Sequence, residues 1–279
     1  MLRSEREKDV IAPNEELNLP PNSGHSAPGD QNSMAFGKCP NLISSMNRPI
    51  AAATKVQIAE NGPYLVSGSL PLLNETIGTN REGDSVKWIP GAEYPQKANY
   101  ALCRCGQSAQ KPFCDGTHVK VAFDGTETAS REPYKDQAKL IEGPTMSLTD
   151  AESLCAFARF CDPKGRVWNL VSQTDDSAAR KDFVQEACDC PSGRLVAWDN
   201  ATSKPVEPKY DPAIALIEDP AKNCSGPVWL RGGVQLIGAD GFKYELRNRV
   251  TLCRCGASQN KPFCDGQHAA VGFQAGPAV

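Results

Sequence analysis

The spacing of apolar and polar residues divides this chain of 279 residues into four stretches. Residues 1 to 35 are rich in Pro, Asn, Ser, Gly and charge, with almost no apolar period, which predicts a disordered tail. Beyond it, Gly62-Pro63-Tyr64-Leu65-Val66-Ser67-Gly68 reads as a turn, a short aromatic and β-branched strand, and a glycine turn. The same pattern returns as Gly226-Pro227-Val228-Trp229-Leu230-Arg231-Gly232. Gly238-Ala239-Asp240-Gly241 predicts a hairpin turn between strands at 234–237 and 242–246. Strands at 100–102 and 250–252 each run into a cysteine-rich loop, and Phe123 and Phe273 lie at matching positions beyond it. The copies are offset by 164 at the glycines and 150 at the cysteines, so the first is about fourteen residues longer, as a loop around 74–83.

Between the copies the rhythm turns helical. Thr149 and Glu152 form a capping box that opens a helix through Leu154, Phe157 and Phe160, closed by Asp162-Pro163-Lys164-Gly165. Residues 167–171 read as a strand. A second helix starts at Asp175 or Ser177 and carries Phe183, Val184 and Ala187. Residues 194–198 read as a closing strand, and 199–223 as a Pro-rich connection. The expected class is α+β: β-rich modules at 50–130 and 224–276, flanking a small α+β domain at 145–200. Modules this small need a metal or a partner to be stable.

The net charge of −3 offers no basic surplus for nucleic acid, and no apolar run approaches a membrane span. No secretory leader is visible, and Glu5, Asp9, Glu15 and Glu16 argue against an organelle transit peptide. Eight of the twelve cysteines lie in close pairs, at 103/105, 155/161, 188/190 and 253/255. A Cys-x-Cys pair closes poorly on itself as a disulfide. Together these features predict a reducing compartment and a cytoplasmic location.

The cysteine loops carry the chemistry. Residues 103–118 read CRCGQSAQKPFCDGTH and residues 253–268 read CRCGASQNKPFCDGQH, identical at twelve of sixteen positions. Each copy holds three cysteines and a histidine as C-x-C-x8-C-x3-H. Of the chain's three histidines, two occupy these positions and the third, His25, lies in the tail. Thiolates with a neutral imidazole suit zinc or an iron–sulfur cluster. Structural zinc sites usually open C-x2-C, whereas C-x-C splays two sulfurs more widely and fits one iron of a two-iron cluster.

At these residues the chain resembles the CDGSH iron–sulfur family, with pattern C-x-C-x2-[S/T]-x3-P-x-C-D-G-[S/A/T]-H. The first copy fits throughout; the second departs only at Gln267, which is not a ligand. The resemblance implies a 2Fe–2S cluster held by Cys103, Cys105, Cys114 and His118, and another held by Cys253, Cys255, Cys264 and His268. It also implies that the two modules pack as an intramolecular pseudo-dimer in a monomer, with the middle segment as an insertion. One imidazole per cluster raises the potential above that of an all-cysteine cluster, and mild acid competes with iron for that nitrogen.

The middle segment resembles the divergent single-cluster 4Fe–4S ferredoxin domain: Cys155 and Cys161 are spaced C-x5-C, and Cys190 opens Cys-Pro-Ser-Gly. Its fourth ligand is open between Cys188 and Cys224. Three protein ligands alone suit a 3Fe–4S cluster or a 4Fe–4S cluster with an open iron. The bland alternative is a small α+β domain with buried thiols. Cys39 reads as an unpaired thiol.

No phosphate loop, nucleophile elbow or H-E-x-x-H is present, so no enzyme is expected. The expected function is electron transfer, or storage and transfer of clusters. The expected partner is a redox protein or an apo iron–sulfur acceptor, and neither nucleic acid nor membrane. The alternative is a zinc-stabilised interaction module.

Overall fold

The computed structural model describes residues 54–276. The predicted tail, His25, Cys39 and the first residues of the 50–130 module lie outside that range. In chain order the first copy gives β1 (Lys55–Ile58), β2 (Tyr64–Ser67), β3 (Leu72–Thr79), β4 (Ser85–Glu93), β5 (Asn99–Leu102) and the single turn α1 (Thr117–Lys120). The middle segment gives α2 (Tyr134–Gln137), β6 (Lys139–Glu142), β7 (Met146–Asp150), α3 (Val167–Leu170), α4 (Ser177–Asp189), β8 (Leu195–Asp199) and β9 (Lys204–Val206). The second copy gives β10 (Ala213–Asp219), β11 (Cys224–Arg231), β12 (Gln235–Ile237), β13 (Arg249–Leu252) and the turn α5 (Gln267–Ala270).

These strands form three sheets, ordered β12-β1-β2-β5, β13-β11-β10-β3-β4 and β6-β7-β8-β9. The first takes β12 from the second copy, and the second takes β3 and β4 from the first. β12 joins β1 in parallel, with Val56 opposite Leu236, and β3 joins β10 in parallel, with Leu73 opposite Ala215. One apolar core spans both sheets, with Val56, Ile58, Tyr64 and Leu102 beside Ile214, Leu216, Val228 and Leu252. β10 and β11 are buried along nearly their whole length, which suits their unbroken apolar runs in the interior of a sheet. Arg231 on β11 pairs with buried Glu75 on β3 at 2.8 Å. Burial raises the Glu75 carboxyl above its ordinary range, and Arg231 opposes that rise.

Several expected elements differ. Residues 74–79 are strand, not loop, and the turn is confined to 80–84, where Asp84 N donates to Asn80 Oδ1 at 2.8 Å. The predicted strand at 242–246 shrinks to a single bridge, Ile237 with Lys243. The connection at 199–223 holds two strands. Its prolines bracket β10 at Pro212 and Pro220, and Pro205 sits in β9, an edge strand that tolerates it. β10 therefore extends the second copy's sheet back to Ala213.

The capping box does not cap. Thr149 lies in β7, and its hydroxyl accepts from Trp198 Nε1 at 2.8 Å. Only residues 152–154 then turn, as a 3₁₀ segment, and the predicted helix is absent. Residues 167–173 are α3 and a 3₁₀ turn, not a strand, because Val167, Leu170 and Val171 face Phe183 and Ala187 of α4 in one core. α4 begins where expected, with Asp176 Oδ1 accepting from Ala178 N and Ala179 N at 3.0 and 2.8 Å.

Candidate metal centres

Each cysteine loop leaves a strand and returns over it. Leu102 bridges to Phe113 and Leu252 to Phe263, which folds each loop into a closed turn. The hydrogen bonds inside the loops repeat between copies. Ser108 Oγ donates to Phe113 O at 2.7 Å, and Ser258 Oγ to Phe263 O at 2.7 Å. Lys111 Nζ reaches Ser108 O, and Lys261 Nζ reaches Ser258 O, both at 2.8 Å. Asp115 accepts from Ala109 N and Thr117 N at 2.8 and 3.0 Å; Asp265 accepts from Gln259 N and Gln267 N at 2.7 and 3.1 Å. Gln267 thus keeps the backbone bond that Thr117 makes. Hydrogen bonds, first that of Thr117, hold the Asp115 carboxyl well below the carboxylate range.

The donors fall into pairs. Cys103 Sγ and Cys105 Sγ are 3.7 Å apart, and Cys114 Sγ and His118 Nδ1 are 3.3 Å apart. In the second copy the separations are 3.8 Å for Cys253 and Cys255, and 3.4 Å for Cys264 and His268. Two sulfurs about 2.3 Å from one tetrahedral ion stand roughly 3.8 Å apart, so each pair has the spread of two ligands on one metal. Among the described residues no three Cys, His, Asp or Glu side chains are placed around a single-ion position.

In the second loop the electrostatics favour one charged thiolate beside neutral partners. The hydrogen bond from Cys255 draws the Cys253 thiol down to about 7 and drives that of Cys255 up, because a second negative charge beside the first is disfavoured. Burial pushes the Cys264 thiol up and holds the His268 imidazole down, to about 4. That imidazole is neutral at pH 7, with a lone pair to give.

Arg104 and Arg254, between the paired cysteines, were not singled out by sequence reasoning. Both are buried and point back into the fold. Arg254 Nε donates to Gly226 O and NH2 to Ile217 O, both at 2.9 Å; Arg104 bonds to Gly125 O and stacks near Tyr64 and Phe123. They anchor the Cys-x-Cys turn. Their signal was available in the repeat: they are identical in both copies without being ligands.

In the middle segment Cys161 lies near enough to two other thiols to feel their charge. Cys155 and Cys190 both act on Cys161, whose thiol rises to about 12, first by burial and next through Asp162. Arg194 lies against Cys155 and is held by Asp150 at 2.6 and 2.9 Å. Cys188 takes another direction, its Sγ donating to Val206 O at 3.7 Å. Cys224 is buried in β11 beside Asp219 and Arg159. Arg249, fully buried on β13, ties this segment to the second loop. It donates to Ala187 O, Cys188 O and Cys190 O at 2.7, 3.1 and 2.7 Å, and pairs with Glu207 at 2.6 Å. No helix among the described residues is long and apolar enough to cross a membrane.

The family model for the iron-binding zinc finger of CDGSH type matches residues 61–119 and 225–269. The model for a divergent 4Fe–4S mono-cluster matches residues 141–200. No curated protein and no solved structure matches the chain.

Proposed function

The chain belongs to the CDGSH iron–sulfur family, as a member with two motifs and a divergent 4Fe–4S region between them, and from this we propose that it is a multi-cluster electron or cluster carrier. In this reading Cys103, Cys105, Cys114 and His118 hold one 2Fe–2S cluster, and Cys253, Cys255, Cys264 and His268 hold the other. Cys155, Cys161 and Cys190 hold a third, of 3Fe–4S or 4Fe–4S type. The observation that carries it is the pairing of donors: 3.7 and 3.3 Å in one loop, 3.8 and 3.4 Å in the other.

The motif-bearing halves act as an intramolecular pseudo-dimer. Supporting this are the exchanged strands β3 and β12 and the shared core. When bound, such clusters supply reversible one-electron couples. The chain's own residues orient the thiolates through Arg104 and Arg254 and keep His268 neutral. The protein works in the cytoplasm as a carrier and not as an enzyme, and its partner is a redox protein or an apo iron–sulfur acceptor.

Anaerobically purified protein should be red-brown. It should hold about four irons with matching sulfide if only the duplicated sites are loaded, and about seven or eight with the third. Colourless protein with about one zinc per loop would replace this reading by the zinc-stapled module.

A further inference from the structure

The loops repeat each other inside but not in what surrounds them. Gly116 and Gly266 hold the same place, with φ of 87° and 88°. A Cβ added at Gly116 meets nothing within 4 Å, whereas one at Gly266 would lie 3.1 Å from Phe157 Cβ and 3.6 Å from Cys155 O. Cys114 and His118 are partly exposed, while Cys264 and His268 are each 3% exposed. At the Cys-x-Cys end the order reverses: Cys105 is buried and Cys255 partly exposed. Only at the cysteine–histidine end, then, is the second site the more buried of the two. Imidazole there brings no negative charge to the metal, and a competing ligand displaces it more readily than a thiolate.

What lies against Gly266, between Cys264 and His268, is the segment 155–161. Phe157 and Arg159 both adopt positive φ, 57° and 62°, a region that non-glycine residues enter rarely and at a cost. The segment is pinned in that shape. Arg159 grips the 1% exposed Asp219 at 2.6 and 3.0 Å and donates to Phe157 O at 2.9 Å. From the loop itself, Asn260 Nδ2 donates to Ser153 O at 2.8 Å. On the other side, Thr128 N and Ala129 N donate to Lys261 O at 2.8 and 2.9 Å. The first loop has no such cover among the described residues, and Val119, next to His118, is 75% exposed.

We propose that residues 155–161, locked by Arg159 to Asp219, form a lid over the cysteine–histidine end of the second site, so that the second site retains its cluster and the first surrenders its own. This rests on the reading of both loops as cluster sites. It divides labour within one chain: the first site exchanges with an external thiolate or carboxylate ligand set, and the second stays internal, next to Cys155.

The test is loss of visible absorbance from the fully loaded, full-length protein in excess EDTA at fixed pH, with released iron counted. Two phases should belong to the duplicated sites, differing about tenfold or more in rate. His118→Cys should slow only the fast phase, and His268→Cys should alter only the slow one. Any phase that responds to neither belongs to the middle segment. Phe157→Ala and, separately, Arg159→Ala should bring the slow phase towards the fast one and leave the fast phase unchanged. Phe157 is 41% exposed, so its truncation leaves the core intact. Equal rates at both sites of fully loaded protein, or a slow phase that follows His118, would overturn the lid and leave the cluster reading standing. Protein lacking iron and sulfide at the loops would overturn both.

Discussion

Gly256 lies so close to Cys105 that a Cβ on the glycine would come within 2.6 Å of the cysteine's carbonyl oxygen, and Gly106 stands in the same relation to Cys255. The two ligand loops therefore touch backbone to backbone, each through the residue that follows its Cys-x-Cys pair. Both glycines have positive φ, 75° and 82°. Neither contact has room for a side chain, and neither backbone angle suits one.

Gly106→Ala and Gly256→Ala should each destabilise the protein by about 2–4 kcal/mol, from strain at positive φ together with the carbonyl clash. Because the contact is reciprocal, each substitution should lower cluster retention at both loops. Thermal melting and iron content check this; loss confined to the mutated loop would count against the reciprocal contact.

Arg249 ties the strand leading to Cys253 to the end of α4, bonding to three carbonyls there. Burial by itself would lower its pKa, but Glu207 holds it above the ordinary range. Arg249→Met keeps much of the volume and leaves Ala187 O, Cys188 O and Cys190 O without that donor. The expected cost is about 3–5 kcal/mol, as for one partner removed from a buried ion pair. Proteolysis should then cut first near 188–194, and limited digestion with mass spectrometry reads this directly.

The two cysteines at the end of α4 should differ. Cys190→Ser removes a thiol from the group around Cys161 and should lower iron by about three or four per chain. Cys188→Ala, whose sulfur is turned to Val206 O, should leave the iron count unchanged. Iron and sulfide analysis of the two variants side by side decides the matter.

Glu186 is 1% exposed, Lys164 N donates to its Oε1 at 2.6 Å, and its Oε2 has no partner. Burial pushes its carboxyl up to about 7. The folded state thus resists ionising Glu186 more than the unfolded state does. Its cost is small below the ordinary glutamate range, grows as pH rises from there to about 7, and is level above. Glu186→Gln should stabilise the protein on the order of 2 kcal/mol at pH 8, and that gain should shrink by pH 5. Denaturant titrations at the two pH values measure the difference.

Much of this was legible in the sequence because it is local. A Cys-x-Cys pair, a proline and a Cys-Asp-Gly turn dictate one loop in both places, so the repeated loop could be read residue by residue. The start of α4 at Ser177 is local too, although its cap is Asp176, which lies between the two residues named from sequence. The misreadings share one cause. Thr149 and Glu152 have the spacing of a helix start, but β7 lies between β6 and β8, and the sheet claims the backbone and the Thr149 hydroxyl. The prolines at 205, 212 and 220 suggested a connection, because sequence does not reveal that β10 fills the gap between β11 and β3.

By itself, the sequence determined that one cysteine–histidine loop occurs twice and which donors each copy offers, because their spacing is a property of a few consecutive residues. The tertiary structure alone decided that strands cross between the copies and that Arg104 and Arg254 brace the loops from within. It also decided that His118 opens to solvent while His268 is buried, with the segment 155–161 against nearby Gly266. Those outcomes depend on contacts between residues far apart in the chain, and on which neighbour fills the space beside two nearly identical loops.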